Sequence, residues 1–187
     1  MRDLEIRGAG SLLGTKQSGH ITAVGFELYC QLLQQSVEKL QGKNPMQRAD
    51  AQVKIDFLVF SESQWSGQKG CLPAFFPRSY GPDPEMRVAA YRQMASARSE
   101  KQINQIEKDW RDRFGRFPPP VENLLKTNRL RVIASAKGVQ VVEINNGRLM
   151  LQRNGEYILP PGGKFPRLSS RKANDRLSEA VHLLKSL

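Results

Sequence analysis

Leu130-Arg-Val-Ile-Ala-Ser-Ala-Lys-Gly-Val-Gln-Val-Val-Glu-Ile-Asn-Asn-Gly-Arg-Leu-Met-Leu-Gln152 changes its period in the middle, and that change decides the fold class. Before Gly138, the apolar residues Val121, Leu124, Leu125, Leu130, Val132, Ile133 and Ala136 recur at helical spacing behind Pro118-Pro-Pro, whose fixed φ suits a first helical turn. Gly138 stands where a left-handed residue ends a helix. After it, Val139–Ile144 alternates, Asn146-Gly147 offers the two positive-φ positions of a type I′ turn, and Arg148–Gln152 returns. Asn154-Gly155 before Glu156–Leu159 extends the hairpin to a three-strand meander, which Pro160-Pro-Gly-Gly163 ends. The reading is α+β: amphipathic helices packed on a small, mostly antiparallel sheet.

Upstream, Val53-Lys-Ile-Asp-Phe-Leu-Val-Phe60 alternates and reads as one strand. Ser61–Gly70 is a polar loop with Trp65 folded back onto the surface, and Pro73 confines Cys71–Phe76 to an edge or to irregular structure. Asp83 is placed to cap a helix that Pro84 opens, with Met86, Ala89, Ala90, Met94 and Ala97 on its inner face. Ser99 and Gln102 have capping-box spacing for a further helix through Arg113, which Gly115 ends. Asn174–Leu187 forms a closing helix with Leu177, Val181, Leu184 and Leu187 inward. At the other end, a loop with glycines at 8, 10, 14, 19 and 25 leads into an amphipathic helix from Val24 to about Leu40.

A chain of 187 residues can bury one core of ordinary size. Its formal charge of +11 is uneven: residues 1–50 hold six Lys/Arg and five Asp/Glu, leaving 23 of the 29 bases and 13 of the 18 acids to residues 51–187. That excess permits a phosphate-backbone or acidic-protein partner. No apolar leader or membrane-length run is present, so a cytoplasmic protein with no membrane contact is expected. Cys30 and Cys71 form no C-x-x-C pair and His20 and His182 have no ligands at metal spacing, so neither a disulfide nor a metal is expected. Gly8-Ala-Gly-Ser-Leu-Leu-Gly14 has one residue too many for a dinucleotide fingerprint, and Gly14-Thr-Lys16 lacks the phosphate-loop spacing. No nucleophile–histidine arrangement is discernible, so these residues are expected to be non-catalytic and to hold no cofactor.

Asp3-Leu-x-x-Arg-Gly8, then Leu13-Gly14, then Gln17-Ser-Gly19 resembles the segment that follows the motor lobes in two bacterial DNA translocase families, RecG and the transcription-repair coupling factor. Ala23-Val-Gly-Phe-x-Leu-Tyr-Cys-Gln-Leu-Leu33 is similar to the coupling factor alone. So are, in order, Pro77-x-x-Tyr80, Pro82-Asp83, Arg87, Tyr91, Ala95-x-Ala97, Asp112-Arg-Phe-Gly115, Pro118-x-Pro120, Asn123-Leu-Leu125 and Leu130-Arg131. The loop at Ser61–Leu72 and the residues from Arg148 onward depart from that pattern.

The resemblance implies a translocation-motif tail of the motor at residues 1–48 and a regulatory domain at 49–187, together a C-terminal fragment or truncated relative of a larger protein. It implies that Arg7 and Gln17, with Arg2 third, couple ATP turnover to movement on duplex DNA, ATP and Mg being held by the motor lobes of the parent. It also implies a parent that displaces stalled RNA polymerase and recruits excision repair through UvrA. The C-terminal domain then packs on the UvrA-binding module and hides it, so that UvrA competes for the same surface. Arg87, Arg111 and Arg113 are candidate partner contacts from charge and helical position, and a solvated face fits them equally well. The alternative is a basic accessory domain that adds grip on duplex DNA through Arg148, Arg153, Lys164, Arg167, Arg171, Lys172 and Arg176.

Overall fold

A computed structural model describes residues 50–159 and 162–186; the expected tail at 1–48, with Arg2, Arg7, Gln17 and the helix from Val24, lies outside them, as does Leu187. In chain order the described elements are β1 (Gln52–Ile55), β2 (Leu58–Val59), a 3-10 turn (Glu62–Gln64), β3 (Leu72–Pro73), α1 (Pro84–Ser96), α2 (Glu100–Phe114), α3 (Pro119–Ala136), β4 (Val141–Asn145), β5 (Arg148–Arg153), β6 (Glu156–Tyr157) and α4 (Ala173–Ser186). The architecture is α+β, with four helices on a small mixed sheet.

The long helix α3 is buried on both sides, which explains why its apolar residues run nearly round it. Leu130, Ile133 and Ala134 join Ile55, Val142, Ile144, Leu149, Leu151, Leu177 and Leu184 in a core between helix, sheet and α4. Val121, Leu124 and Leu125 face a second core with Phe76, Tyr91, Met94, Trp110 and Phe117. Its buried polar side chains are all bonded: Asn123 Nδ2 donates to Pro73 O at 2.9 Å, Thr127 Oγ1 to Asn123 O at 2.8 Å, and Asn128 Nδ2 to Met94 O at 3.1 Å.

Both Asn-Gly turns form as expected, with positive φ at Asn146, Gly147, Asn154 and Gly155. The four-stranded sheet runs β1-β4-β5-β6; the meander is antiparallel, and β1 joins β4 in parallel, Ile55 opposite Ile144. The expected single strand at Val53–Phe60 is a correction: it breaks at Asp56-Phe57. Its second half pairs in parallel with β3 in a separate two-stranded sheet. Alternation is identical on both sides of a bend, so period alone cannot see one. Phe57 is buried at the bend, and the Asp56 carboxylate accepts from Asn146 N–H at 2.7 Å. Pro73 sits in the short β3 between two residues whose N–H groups donate across, Leu72 to Phe57 O and Ala74 to Val59 O, so its missing donor costs nothing there. Trp65 is half-buried, outside the core clusters.

Asp83 Oδ1 accepts from Glu85 N–H at 3.0 Å ahead of Pro84, as the sequence implied. The inner face of α1 differs from expectation: Ala89 is exposed, and Tyr91 is buried beside Ala90 and Met94. At α2, Ser99 Oγ accepts from Gln102 N–H at 3.3 Å, but Gln102 Oε1 accepts from Arg98 N–H, one residue before the box partner. In α4, Leu177 and Leu184 are fully buried and Val181 half-buried.

Candidate interaction surfaces

The Pro77–Asp83 turn, where the chain passes from sheet to helices, is held by aromatic rings. Phe76 meets Trp110 edge-on at 5.2 Å between centroids and Tyr80 at 5.2 Å. Tyr80 packs on Phe114 and Phe117, and its hydroxyl donates to Gly115 O at 3.3 Å. Burial pushes the Tyr80 phenol above its ordinary pKa, and the Arg111 guanidinium opposes it to a lesser extent. Gly81 lies so close that a Cβ would fall 2.5 Å from Phe76 Cε1. The cleft beside the turn, lined by Phe60, Phe75, Arg78, Val88 and Tyr91, holds about 40 Å³, far below the roughly 300–1,000 Å³ of ligand pockets.

Arg87 clamps this turn: its Nη1 donates to Gly81 O and Pro82 O. Arg111 pairs with Glu107 at 3.0 Å and lies 5.2 Å over the Phe117 ring, and Arg113 lies 5.1 Å over Phe114. Arg111 and Arg113 are exposed at the end of α2, whereas Arg87 is half-buried.

Sequence reasoning passed over the polar node that fastens the sheet to the helices. Asp50 lies 3.0 Å from Arg131 Nη1 and 2.6 Å from Arg98 Nη1. Arg131 also donates to Met94 O at 2.9 Å, Ala97 O at 2.7 Å and Asn128 Oδ1 at 2.7 Å. The sequence signals were an arginine set among the apolar residues of α3 and its place in the Leu130-Arg131 word of the resemblance, neither of which names a partner. A second chain of ion pairs, Arg129 with Glu107 and Glu100, then Glu100 with Lys185, ties α2, α3 and α4 together.

The seven basic residues of the late sheet and its exit divide. Arg153 donates to Lys137 O and Gly138 O at the end of α3, and Arg176 Nε donates to Ser170 O at 2.8 Å, so both serve the backbone. Arg148, Lys164, Arg167, Arg171 and Lys172 are exposed and enter no ion pair among the described residues. The exit segment bearing the last of these is pinned by Glu179. Its carboxylate accepts from Ser169 N–H at 2.8 Å, Ser169 Oγ at 2.9 Å and Ser170 N–H at 3.0 Å.

The hydrogen bond from the Ser169 backbone is the main cause that lowers the Glu179 pKa from 4.5 to about 2. A folded-state pKa below the unfolded one means stability present above about 4.5 and lost as pH falls toward about 2. Glu179→Gln is therefore expected to speed amide exchange at Ser169 and Ser170 at neutral pH. It should also flatten the acid limb of the melting-temperature profile in that window. Unchanged exchange at both amides would remove Glu179 as the pin.

The family model described as TRCF domain matches residues 71–158, which hold the aromatic turn, all of α1 to α3 and the whole meander down to Ile158. The chain carries a TRCF domain. It is 32% identical over 191 residues to the transcription-repair-coupling factor of Buchnera aphidicola, a match covering 97% of this chain and 22% of that protein. To the Escherichia coli K12 protein of the same name it is 37% identical over 144 residues, covering 76% of this chain and 12% of the relative. The chain thus spans less than a quarter of the length of these relatives. A crystal structure of the C-terminal domain of a transcription-repair coupling factor superposes with a TM-score of 0.51 at 15% identity, covering 74% of this chain and 95% of the other, a likeness of fold.

Within the TRCF domain match lie Arg87, Arg111, Arg113, Arg148 and Arg153; beyond it lie Lys164, Arg167, Arg171, Lys172 and Arg176. The node splits too, with Arg98 and Arg131 inside the matched range and Asp50 before it. Among the described residues no group of three or more His, Cys, Asp or Glu is placed to hold a metal ion. No helix among them is long and apolar enough to cross a membrane.

Proposed function

We propose that this chain is the regulatory region of a transcription-repair coupling factor, a DNA-dependent ATPase that displaces stalled RNA polymerase and recruits excision repair through UvrA. Residues 49–187 form the module that masks the UvrA-binding surface, and the mask is relieved when DNA, polymerase or ATP stabilises a competing arrangement. Residues 1–48 supply the coupling of ATP turnover in the motor to movement on duplex DNA, through Arg7, Gln17 and Arg2. Catalysis, with ATP and Mg, belongs to the motor lobes, and the protein works in the cytoplasm.

The observation that carries this reading is the span of the match: nearly all of this chain against about a fifth of the Buchnera relative. The helices and sheet share continuous cores, so the domain can present one rigid surface to a neighbouring module. In a coupling factor that carries this region, deleting residues 51–187 is expected to raise affinity for UvrA about tenfold or more, within the usual range of coupling free energies. Equal affinity with and without the deletion would sink the masking function.

A second reading, extra grip on duplex DNA, is favoured by Arg148, Lys164, Arg167, Arg171 and Lys172, which are exposed and enter no ion pair among the described residues. Fluorescence anisotropy of the chain with a random-sequence duplex across a salt series separates the two. Micromolar binding with a steep negative salt slope supports grip, and marginal binding at physiological salt leaves the charge to a protein partner.

A further inference from the structure

We infer that the outer face of the four-stranded sheet, around Arg148 and Arg167, is a docking surface for an acidic protein segment that also carries apolar side chains. The inference stands apart from the masking function, since it concerns the chemistry of one face whatever module covers another.

Side chains alternate along β5: Leu149 and Leu151 are buried, so Arg148, Met150 and Gln152 face outward. Register carries that face across the sheet, placing Glu143 opposite Met150 and Tyr157 opposite Gln152. The exit segment adds a further paired residue, Arg167 directly opposite Arg148. The flanking bonds, Leu149 N–H to Pro166 O and Leu168 N–H to Gly147 O, make this a non-hydrogen-bonded pair. That is the closer of the two antiparallel arrangements, with Cα atoms roughly 4.5 Å apart. Like charges opposed in this way destabilise the pairing. Neither arginine has a carboxylate partner among the described residues. The fold tolerates a repulsion that an anion bound between the two guanidinium groups would turn into attraction.

Beside this pair lie Tyr157 and Leu159, the exposed large hydrophobics among the described residues at 48% and 53%. Ile158 between them packs on the core, which turns its two neighbours outward. The Phe165 ring meets Tyr157 at 5.4 Å, so the apolar patch is continuous with the exit segment bearing Arg167. An apolar centre rimmed by guanidinium groups is the anatomy of a protein interface. Tyr157 and Leu159 offer a phosphate backbone nothing, whereas the apolar side chains of a protein segment would cover them.

Charge also restricts the occupant. A second copy would bring another +11, and residues 1–49 carry six bases against four acids, so neither supplies an acidic surface. The segment comes from a partner protein.

The test uses the whole chain and three labelled probes followed by anisotropy. These are a short Asp/Glu peptide with Leu and Phe at helical spacing, the same peptide with Ser at the apolar positions, and a random-sequence DNA duplex. The first peptide is expected to bind about tenfold more tightly than the second, and about tenfold less tightly to Leu159→Ser or Arg148→Glu. Arg167→Thr removes the opposed charge without filling the core. It should melt a few degrees higher than the parent while binding the first peptide about tenfold more weakly. Absence of peptide binding, equal binding by Arg167→Thr and the parent, or a duplex that binds more tightly than the peptide and is lost in the same variants, would each overturn the inference.

Discussion

Arg131→Met is expected to cost the domain about 3–5 kcal/mol, the range for removing one partner of a buried charge pair. The Arg131 and Asp50 side chains are 13% and 11% exposed, so their attraction is poorly screened. The guanidinium also satisfies the carbonyls of Met94 and Ala97 at the end of α1 and the amide oxygen of Asn128. Methionine fills the volume but leaves Ala97 O and the Asp50 carboxylate short of a donor, and it is the orphaned groups that set the cost. Ala51 N–H donates to Ser135 Oγ one residue on from Asp50, so the loss loosens the entry of the chain into β1 as well.

Arg98→Ala makes the contrast. Arg98 touches the same carboxylate at 2.6 Å but is 55% exposed, and solvent screening holds its contribution to about 1 kcal/mol or less. Urea unfolding of the three proteins checks both numbers. A loss below about 1 kcal/mol for Arg131→Met would mean that water replaces the guanidinium freely and that the node does not fasten the sheet to the helices.

Trp110→Ala should cost a similar amount, about 3–5 kcal/mol, for a different reason. Trp110 is 3% exposed in the core that unites Phe76, Met94 and α3, and its Nε1–H donates to Gln93 Oε1 at 2.8 Å. Truncation opens a cavity at the base of the aromatic turn, where Gly81 already lies too close to Phe76 for any side chain. The amides of Tyr80 and Gly81, both donating to Pro77 O, should lose exchange protection beyond the global change. Trp110→Phe should keep most of the stability, because the ring contact with Phe76 survives and only the bond to Gln93 goes. Equal losses for Ala and Phe would place the cost in that hydrogen bond.

What could be read along the chain was local. The hairpin at Asn146-Gly147, the cap at Asp83-Pro84 and the stop at Gly138 each depend on a few adjacent residues whose backbone preferences are intrinsic. The inner face of α1 was read less well, since Ala89 and Tyr91 trade places in burial. Alanine carries little patterning signal, and whether a tyrosine is buried depends on a partner for its hydroxyl, here the N–H of Phe76.

The interaction residues were legible as types but not as roles. Arginines in a basic chain look alike, yet a long side chain can turn back to its own backbone. Arg87, Arg153 and Arg176 do so, whereas Arg148 and Arg167 meet as an exposed pair because a register brings them together across nineteen positions.

By itself the sequence determined the order of helices and turns, the α+β class and, through its ordered motifs, the family. Only the tertiary structure decided that the strand at Val53–Phe60 bends into two sheets, that β1 enters beside β4 in parallel, and that Asp50 finds Arg131. The reason is one of range. Propensity and capping act over a turn or two of chain, whereas pairing partner, register and the fate of a buried charge depend on residues tens of positions away, which become neighbours only once the cores on either side of α3 have closed.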